Sequence, residues 1–164
     1  MPLLKNGQIQ DDTWVVVSEQ DTLPSGDILV PLSQLDAGIA QKNGREGRLG
    51  VVLASGDEVE SLRNFVSQLD AVEVVFPVFR DGRGFTQARA LREHLRFAGD
   101  IRASGHILPD QYEFLLRCGV TDVVLPEGAD VAAWERAHKA FTVAYQPSVQ
   151  NERAEGFALR RRLF

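Results

Sequence analysis

The sequence predicts an α/β fold, a mostly parallel sheet of βαβ units, half-barrel-like or open and doubly wound, with extra N-terminal strands. Three observations predict it. Apolar β-branched runs alternate with stretches of helical periodicity from residue 49 onward. Gly, Asp, Ser and Pro cluster at the junctions between them. The chain has 164 residues, whereas a complete eight-fold barrel takes about 250. Repeated strand–helix units joined right-handedly make a parallel sheet.

The elements follow in order. Asn6-Gly7 is a turn pair, and residues 14–17 and 28–30 are short β-branched strands that form a hairpin or a sheet edge. Ser33 to Asp36 opens a short helix, and the polar, glycine-containing residues 41–48 read as a mobile loop. Residues 49–54 are an apolar strand. Ser55-Gly56-Asp57 then offers a helix cap, with Val59, Leu62, Phe65, Val66 and Leu69 behind it at helical spacing. Residues 72–79 are the next strand, interrupted by Glu73 and by Pro77, which marks a bend or a free edge. Phe85, Ala88, Leu91 and Leu95 form the apolar stripe of a second helix that Gly99 ends. Residues 100–104 are a strand, and Gly105-His106 turns the chain. Pro109 and Asp110 suit the first turn of a third helix, with Tyr112, Leu115 and Leu116 inside and Gly119 closing it. Residues 121–125 are the last clear strand and 132–143 the last long helix. Residues 1–145 are thus one α/β domain, with 1–48 a β and loop part and 49–145 the βαβ core. Residues 146–164 are a polar, basic tail ending in Arg160-Arg161-Arg162, able to pack on a partner through Phe157, Leu159, Leu163 and Phe164.

In a parallel sheet, ligands bind at the carboxyl ends of the strands. Two junctions there carry chemistry. The first is Asp81-Gly82-Arg83-Gly84. Its glycines allow a sharp turn and close approach, Arg83 suits an oxyanion clamp, and Asp81 suits an acid or base. The other reading is a strand-to-helix turn in which Asp81 caps the helix and pairs with an arginine. The stretch lacks the lysine and hydroxyl of a phosphate-binding loop and the glycine spacing of a dinucleotide fingerprint. The second junction runs from Arg102 through His106 to Asp110. Adjacent junctions open on one edge, so Arg102 and His106 are expected to face Asp81 and Arg83 across a cleft, with Arg102 and Asp110 as further ligand contacts and His106 as a second proton carrier. A turn position for His106 and a helix-start charge for Asp110 are the plainer readings. Arg89, Arg92 and Arg96 recur with Arg83 at roughly helical spacing, as a solvated face or as a basic stripe for an acidic partner. Trp14 and Trp134 read as core residues.

Bulk composition narrows the classes. Apolar residues make up 44% and charged residues 25% of the chain, as in ordinary globular proteins. A net charge of −5 argues against a nucleic-acid footprint. Cys118 is the single cysteine. It can make neither an internal disulfide nor a multi-thiolate metal site, it reads as a buried thiol, and a cytoplasmic setting fits it. Residues 1–7 show no secretory signal, and no segment has the length of a membrane span. No metal ligand spacing and no cofactor motif is evident.

Phe76-Pro77 through Asp81-Gly82-Arg83-Gly84-Phe85, then Ala88-Arg89, Leu91-Arg92, Gly99-Asp100-Ile101-Arg102-Ala103, Leu108-Pro109-Asp110-Gln111 and Arg117-Cys118-Gly119 form an ordered series. The series resembles the bacterial domain-of-unknown-function 934 family, most strongly over residues 49–125. Its members are encoded beside assimilatory sulfite reductase and are labelled as oxidoreductases of sulfite reduction. His106 departs from the pattern, where an Asp or similar residue is expected. The resemblance implies a role in sulfur assimilation. An electron carrier needs a cofactor or a redox cysteine pair, and neither motif is visible. The expected role is therefore an accessory protein binding sulfite reductase or its electron or oxyanion supply. The alternatives are a small enzyme acting on an oxyanion or small metabolite, with Asp81 and His106 as its proton carriers, and an oligomeric structural module that pairs through an open sheet edge.

Overall fold

The computed structural model describes residues 2–5, 7–18, 23–42, 44, 46–140 and 148–149. The expectations for the basic tail, and for the end of the last helix beyond residue 140, lie outside the described residues. Among the described residues, eight strands form one sheet: β1 (Pro2–Lys5), β2 (Gln8–Asp11), β3 (Val15–Val16), β4 (Ile28–Pro31), β5 (Leu49–Leu53), β6 (Ala71–Phe76), β7 (Asp100–Gly105) and β8 (Asp122–Val124). Their order across the sheet is β2-β1-β8-β7-β6-β5-β4-β3. The strands from β3 to β8 run parallel, while β1 is antiparallel to both β8 and β2. The helices are α1 (Leu35–Lys42), α2 (Arg83–Glu93), α3 (Tyr112–Arg117) and α4 (Val131–Ala140).

The six parallel strands follow one another in chain order without a reversal. Right-handed crossovers that all step the same way leave their helices on one face. A doubly wound sheet needs a reversal of order, so of the two predicted forms the half-barrel is the one that exists. Alternation along the strands agrees. Val30, Val51, Val74, Ile101 and Val123 share a core with Leu35 of α1, Leu91 of α2, Leu115 of α3 and Trp134 of α4. Leu29 and Ala71 turn to the other face and pack on Trp14.

Chain length forces the sheet to curl. β2 and β3 stand at opposite ends of the strand order, yet only residues 12–14 join them. Seven flat strand spacings come to roughly 34 Å, while a connection this short reaches no more than about 14 Å. The sheet must bend until its two edges approach, and residues 12–14 become a strap over the concave face. Gly50 on β5 leaves room under the strap: a Cβ there would lie 2.6 Å from Leu29 Cδ2 and 2.8 Å from the Ala71 carbonyl.

Several elements differ from expectation. Of the two placements expected for residues 14–17 and 28–30, the sheet edge holds and the hairpin does not: β3 and β4 are parallel neighbours there. The hairpin joins β1 to β2, around Gly7 at φ 75°. The helix expected over 55–69 is two short 3-10 turns, Val59–Leu62 and Val66–Gln68. Val59, Leu62 and Phe65 recur every third residue, which matches the three-residue turn of a 3-10 helix. Ser61 also donates its hydroxyl to the Glu58 carbonyl at 2.7 Å, competing with helix growth. Asp57 turns back to accept the Ala54 N–H at 2.8 Å instead of capping forward. α1 runs on to Lys42, into residues expected as loop. β6 stops at Phe76, because Pro77 has no N–H to add to the ladder.

Candidate functional site

The sequence pattern places the chemistry at the carboxyl edge of the sheet. There Asp81 and Arg83 are partners of each other. Arg83 Nε and Nη2 donate to Asp81 Oδ1 and Oδ2 at 2.9 and 2.6 Å, and the Arg83 N–H donates to Oδ1 at 3.2 Å. Arg83, with the Arg83 N–H and Ser55 behind it, holds the Asp81 carboxyl well below the usual carboxylate range. Gly82 precedes α2 at φ −78°, with open space where a Cβ would go. Gly84 serves packing: a Cβ there would lie 2.5 Å from the Phe76 ring.

At the next junction Gly105 takes φ 95°, and a Cβ would fall 2.3 Å from the Phe76 carbonyl oxygen. The His106 N–H donates to that oxygen at 2.7 Å, and its ring meets Phe79 edge-on at 5.7 Å. Gln111 accepts the Leu108 N–H at 3.0 Å and donates to the Phe79 carbonyl at 2.9 Å. Two adjacent loops are thereby tied together around Phe79. Asp110 is exposed in the turn before α3. Among the described residues, no hydrogen bond or ion pair joins Asp81 or Arg83 to His106 or Asp110.

Arg102 does not face that edge. It lies inside β7, on the concave face, and is 1% exposed. Its Nε donates to Glu73 Oε2 at 3.1 Å and its Nη2 to Asp12 Oδ2 at 2.7 Å, while Ser104 donates to Glu73 Oε1 at 2.7 Å. The Arg102 Nη1 has no hydrogen-bond partner among the described residues. Burial pulls the Arg102 pKa down, but Asp12 and Glu73 outweigh it and hold it above the ordinary value. The strand register extends the pattern: Glu73, Arg102, Asp122 and Lys5 stand side by side across β6, β7, β8 and β1. Lys5 Nζ lies 3.1 Å from Asp100 and 3.2 Å from Asp122. Burial, with Asp100 nearby, pushes the Asp122 carboxyl up. This row of alternating charge was not foreseen. Its signal is a charged residue inside each of two apolar strands, Glu73 in β6 and Arg102 in β7, with Asp122 opening the next.

The predicted arginine face is divided. Arg89 pairs with Glu93 at 2.8 Å. Arg92 turns inward and donates to the carbonyls of Gly119, Phe97 and Gly99 at 3.0, 2.6 and 2.8 Å, and burial lowers its pKa. Arg96 is exposed after the helix, at φ 53°. Cys118 is buried, which raises its thiol pKa.

What the carboxyl edge does present is apolar surface. Val78, Phe79, Leu108 and Phe114 are 36 to 50% exposed. Phe114 leans on Phe85 at 4.6 Å, and Phe85 on buried Phe76 at 5.0 Å, so the surface aromatics are anchored to the core. The Arg80 guanidinium lies 5.6 Å over the Phe79 ring and makes no ion pair among the described residues. Among those residues no His, Cys, Asp and Glu group is placed to hold a metal, and no helix is long and apolar enough to cross a membrane.

The structure thus defines a parallel half-barrel with an aromatic and basic carboxyl edge. The chain belongs to a family described as a bacterial protein of unknown function, DUF934, whose model matches residues 50–155. That match takes in β5 to β8 and all the elements between them. A search of curated proteins finds no match.

Proposed function

We propose that this chain is an accessory protein of assimilatory sulfite reduction that docks onto sulfite reductase through the carboxyl edge of its sheet. The observation that carries the reading is the exposed cluster of Val78, Phe79, Leu108 and Phe114, with Arg80 over the Phe79 ring. Exposed aromatic residues and an arginine on one sheet edge are what interface centres favour. A cation at that spot with no ion pair among the described residues, in a chain of net charge −5, suits a partner that offers an apolar socket with an acidic rim. Sulfite reduction itself comes from the family resemblance.

The enzymatic alternative draws less support from the geometry. It asks Asp81, Arg83, Arg102 and His106 to converge, whereas Asp81 and Arg83 neutralise each other and Arg102 is buried on the concave face. The test is genetic. A strain lacking the protein should fail to grow on sulfate as sole sulfur source and recover when given sulfide. The wild-type chain should restore growth, and a folded Phe79→Ala, Phe114→Ala variant should not. Normal growth of the deletion strain on sulfate, or full rescue by the variant, would refute the proposal.

A further inference from the structure

β2 ends the strand order, and its residues Gln8–Asp11 are all exposed. The ladder fixes which of its backbone groups are free. The Leu125 N–H donates to the Pro2 carbonyl at 2.9 Å, so the backbones of Pro2, and of Leu4 two residues on, face β8. Those of Leu3 and Lys5 therefore face β2, where they pair with Gln10 and Gln8. The backbones of Ile9 and Asp11 are left pointing outward, bonded to nothing among the described residues. The usual protection of an edge is missing. The strand has no proline, lysine or glycine, its one charge is the terminal Asp11, and Ile9 is 42% exposed. The edge at the other end of the sheet offers less. Val15 and Val17 spend their N–H groups on Asp27 and Leu29, each at 2.9 Å, so that within β3 only Val16 faces out.

We propose that β2 is the interface of a twofold-symmetric dimer, in which it pairs antiparallel with β2 of a second copy and the two sheets continue as one. The free backbone groups select this occupant and its register. Ile9 and Asp11 flank Gln10. A twofold axis at Gln10 therefore sets Ile9 of each copy against Asp11 of the other, and each pair exchanges both of its N–H···O bonds. An axis at Ile9 would set Asp11 against Gly7, whose N–H already donates to Tyr112 Oη at 3.2 Å. An axis at Asp11 would oppose like charges. Charge favours the same register. Ile9 and Asp11 lie on the helix-bearing face, since Ile9 pairs with Leu4, which shares the core with Trp134 of α4. The last turn of α4 is basic, with His138 and Lys139, and a Cβ on Gly7 would lie 3.6 Å from the His138 ring. Asp11 of the second copy, opposite Ile9, stands about 7 Å along the strand from Gly7. Neither Asp11 nor Lys139 has an ion pair among the described residues, and symmetry brings such a carboxylate to each basic turn. On the opposite face the two Gln10 side chains meet across the axis and can pair amide to amide.

Sedimentation equilibrium of the full chain from micromolar to millimolar concentration, together with cysteine cross-linking, tests this. The chain should pass from monomer to dimer, and weakly, since so short a contact lies at the small end of interfaces. Ile9→Pro removes only an outward N–H, and Ile9→Lys puts a charge on an exposed edge. Both should keep the wild-type circular dichroism and weaken the dimer by about tenfold or more. Val16→Lys, on the other edge, should leave it unchanged. Gln10→Cys should cross-link on oxidation, because the non-hydrogen-bonded pair on the axis brings the two Cα atoms to about 4.5 Å. Gln8→Cys should not cross-link. Cys118, the single native cysteine, is buried. A chain that stays monomeric at millimolar concentration would overturn the proposal. So would a dimer untouched by both Ile9 variants, a dimer lost in Val16→Lys, or Gln8→Cys cross-linking as readily as Gln10→Cys. The pairing uses none of Val78, Phe79, Leu108 and Phe114, so the outcome is independent of the docking proposal.

Discussion

Replacing Arg102 by Met is expected to destabilise the fold by about 3 kcal/mol, and the structure says why. Removing one partner of a buried ion pair typically costs about 3–5 kcal/mol, because the other charge is left without compensation. Two carboxylates lose a partner here, but they are not equal. Asp12 sits on the strap at 2.7 Å from the guanidinium and keeps a charge-assisted hydrogen bond from the Trp14 N–H at 3.1 Å. Glu73 lies within β6, is buried, and keeps only the Ser104 hydroxyl at 2.7 Å. One stranded charge, not two, sets the penalty. The Arg102 Nη1, without a partner in the native fold among the described residues, places the loss at the lower end of the range. For a chain of this size each kcal/mol moves Tm by about 2–4 °C, so the variant should melt roughly 6–12 °C lower. Urea unfolding followed by far-UV circular dichroism gives the free energy directly. The double variant Arg102→Met, Glu73→Leu removes the stranded charge and should recover most of the loss. A loss below about 1 kcal/mol for the single variant, or a double variant as unstable as the two single effects added, would refute the reasoning.

Other outcomes follow from the same geometry. Gly84→Ala should cost about 1–3 kcal/mol, since its Cβ would fall 2.5 Å from the Phe76 ring, while Gly82→Ala should leave Tm nearly unchanged; equal melting points would contradict this. Arg92→Met should destabilise by about 2–4 kcal/mol through three orphaned backbone carbonyls, whereas Arg89→Ala, which breaks an exposed pair, should stay within about 0.5 kcal/mol. The Arg48 guanidinium, foremost by its hydrogen bond, holds Asp27 below its ordinary value of 3.8. A lowered folded-state pKa contributes stability that is present above that value and lost as pH falls through the folded pKa. Tm should therefore drop as pH goes below about 4, and Asp27→Asn should show a flatter acid limb; an unchanged limb would count against the pair.

The sheet class was legible because each parallel strand is short, apolar and bounded by turn residues. The strap was not, because nothing local announces that residues 12–14 must cross from one edge of an eight-stranded sheet to the other. β1 was missed for a related reason: its partner β8 lies more than a hundred residues away. Arg102 illustrates the limit at the site. Two residues before Ser104 it reads as part of a junction, but β7 continues through Gly105, and only the register with Glu73 and Asp122 shows that it belongs to a buried row of charge. Val59, Leu62, Phe65, Val66 and Leu69 mix intervals of three and four, so their spacing alone does not separate an α-helix from the two 3-10 turns that form. The aromatic patch passed unnoticed because Val78 and Phe79 resemble the end of a strand until Pro77 is seen to stop it.

The measurement that bears most directly on the docking account is calorimetric titration of this protein into sulfite reductase from the same organism, at low and moderate salt, with wild type and a Phe79→Ala, Arg80→Glu variant. The account predicts micromolar or tighter binding that weakens as salt screens Arg80 and disappears in the variant. Failure of the wild type to bind, or equal binding by the variant at both salt concentrations, would contradict it.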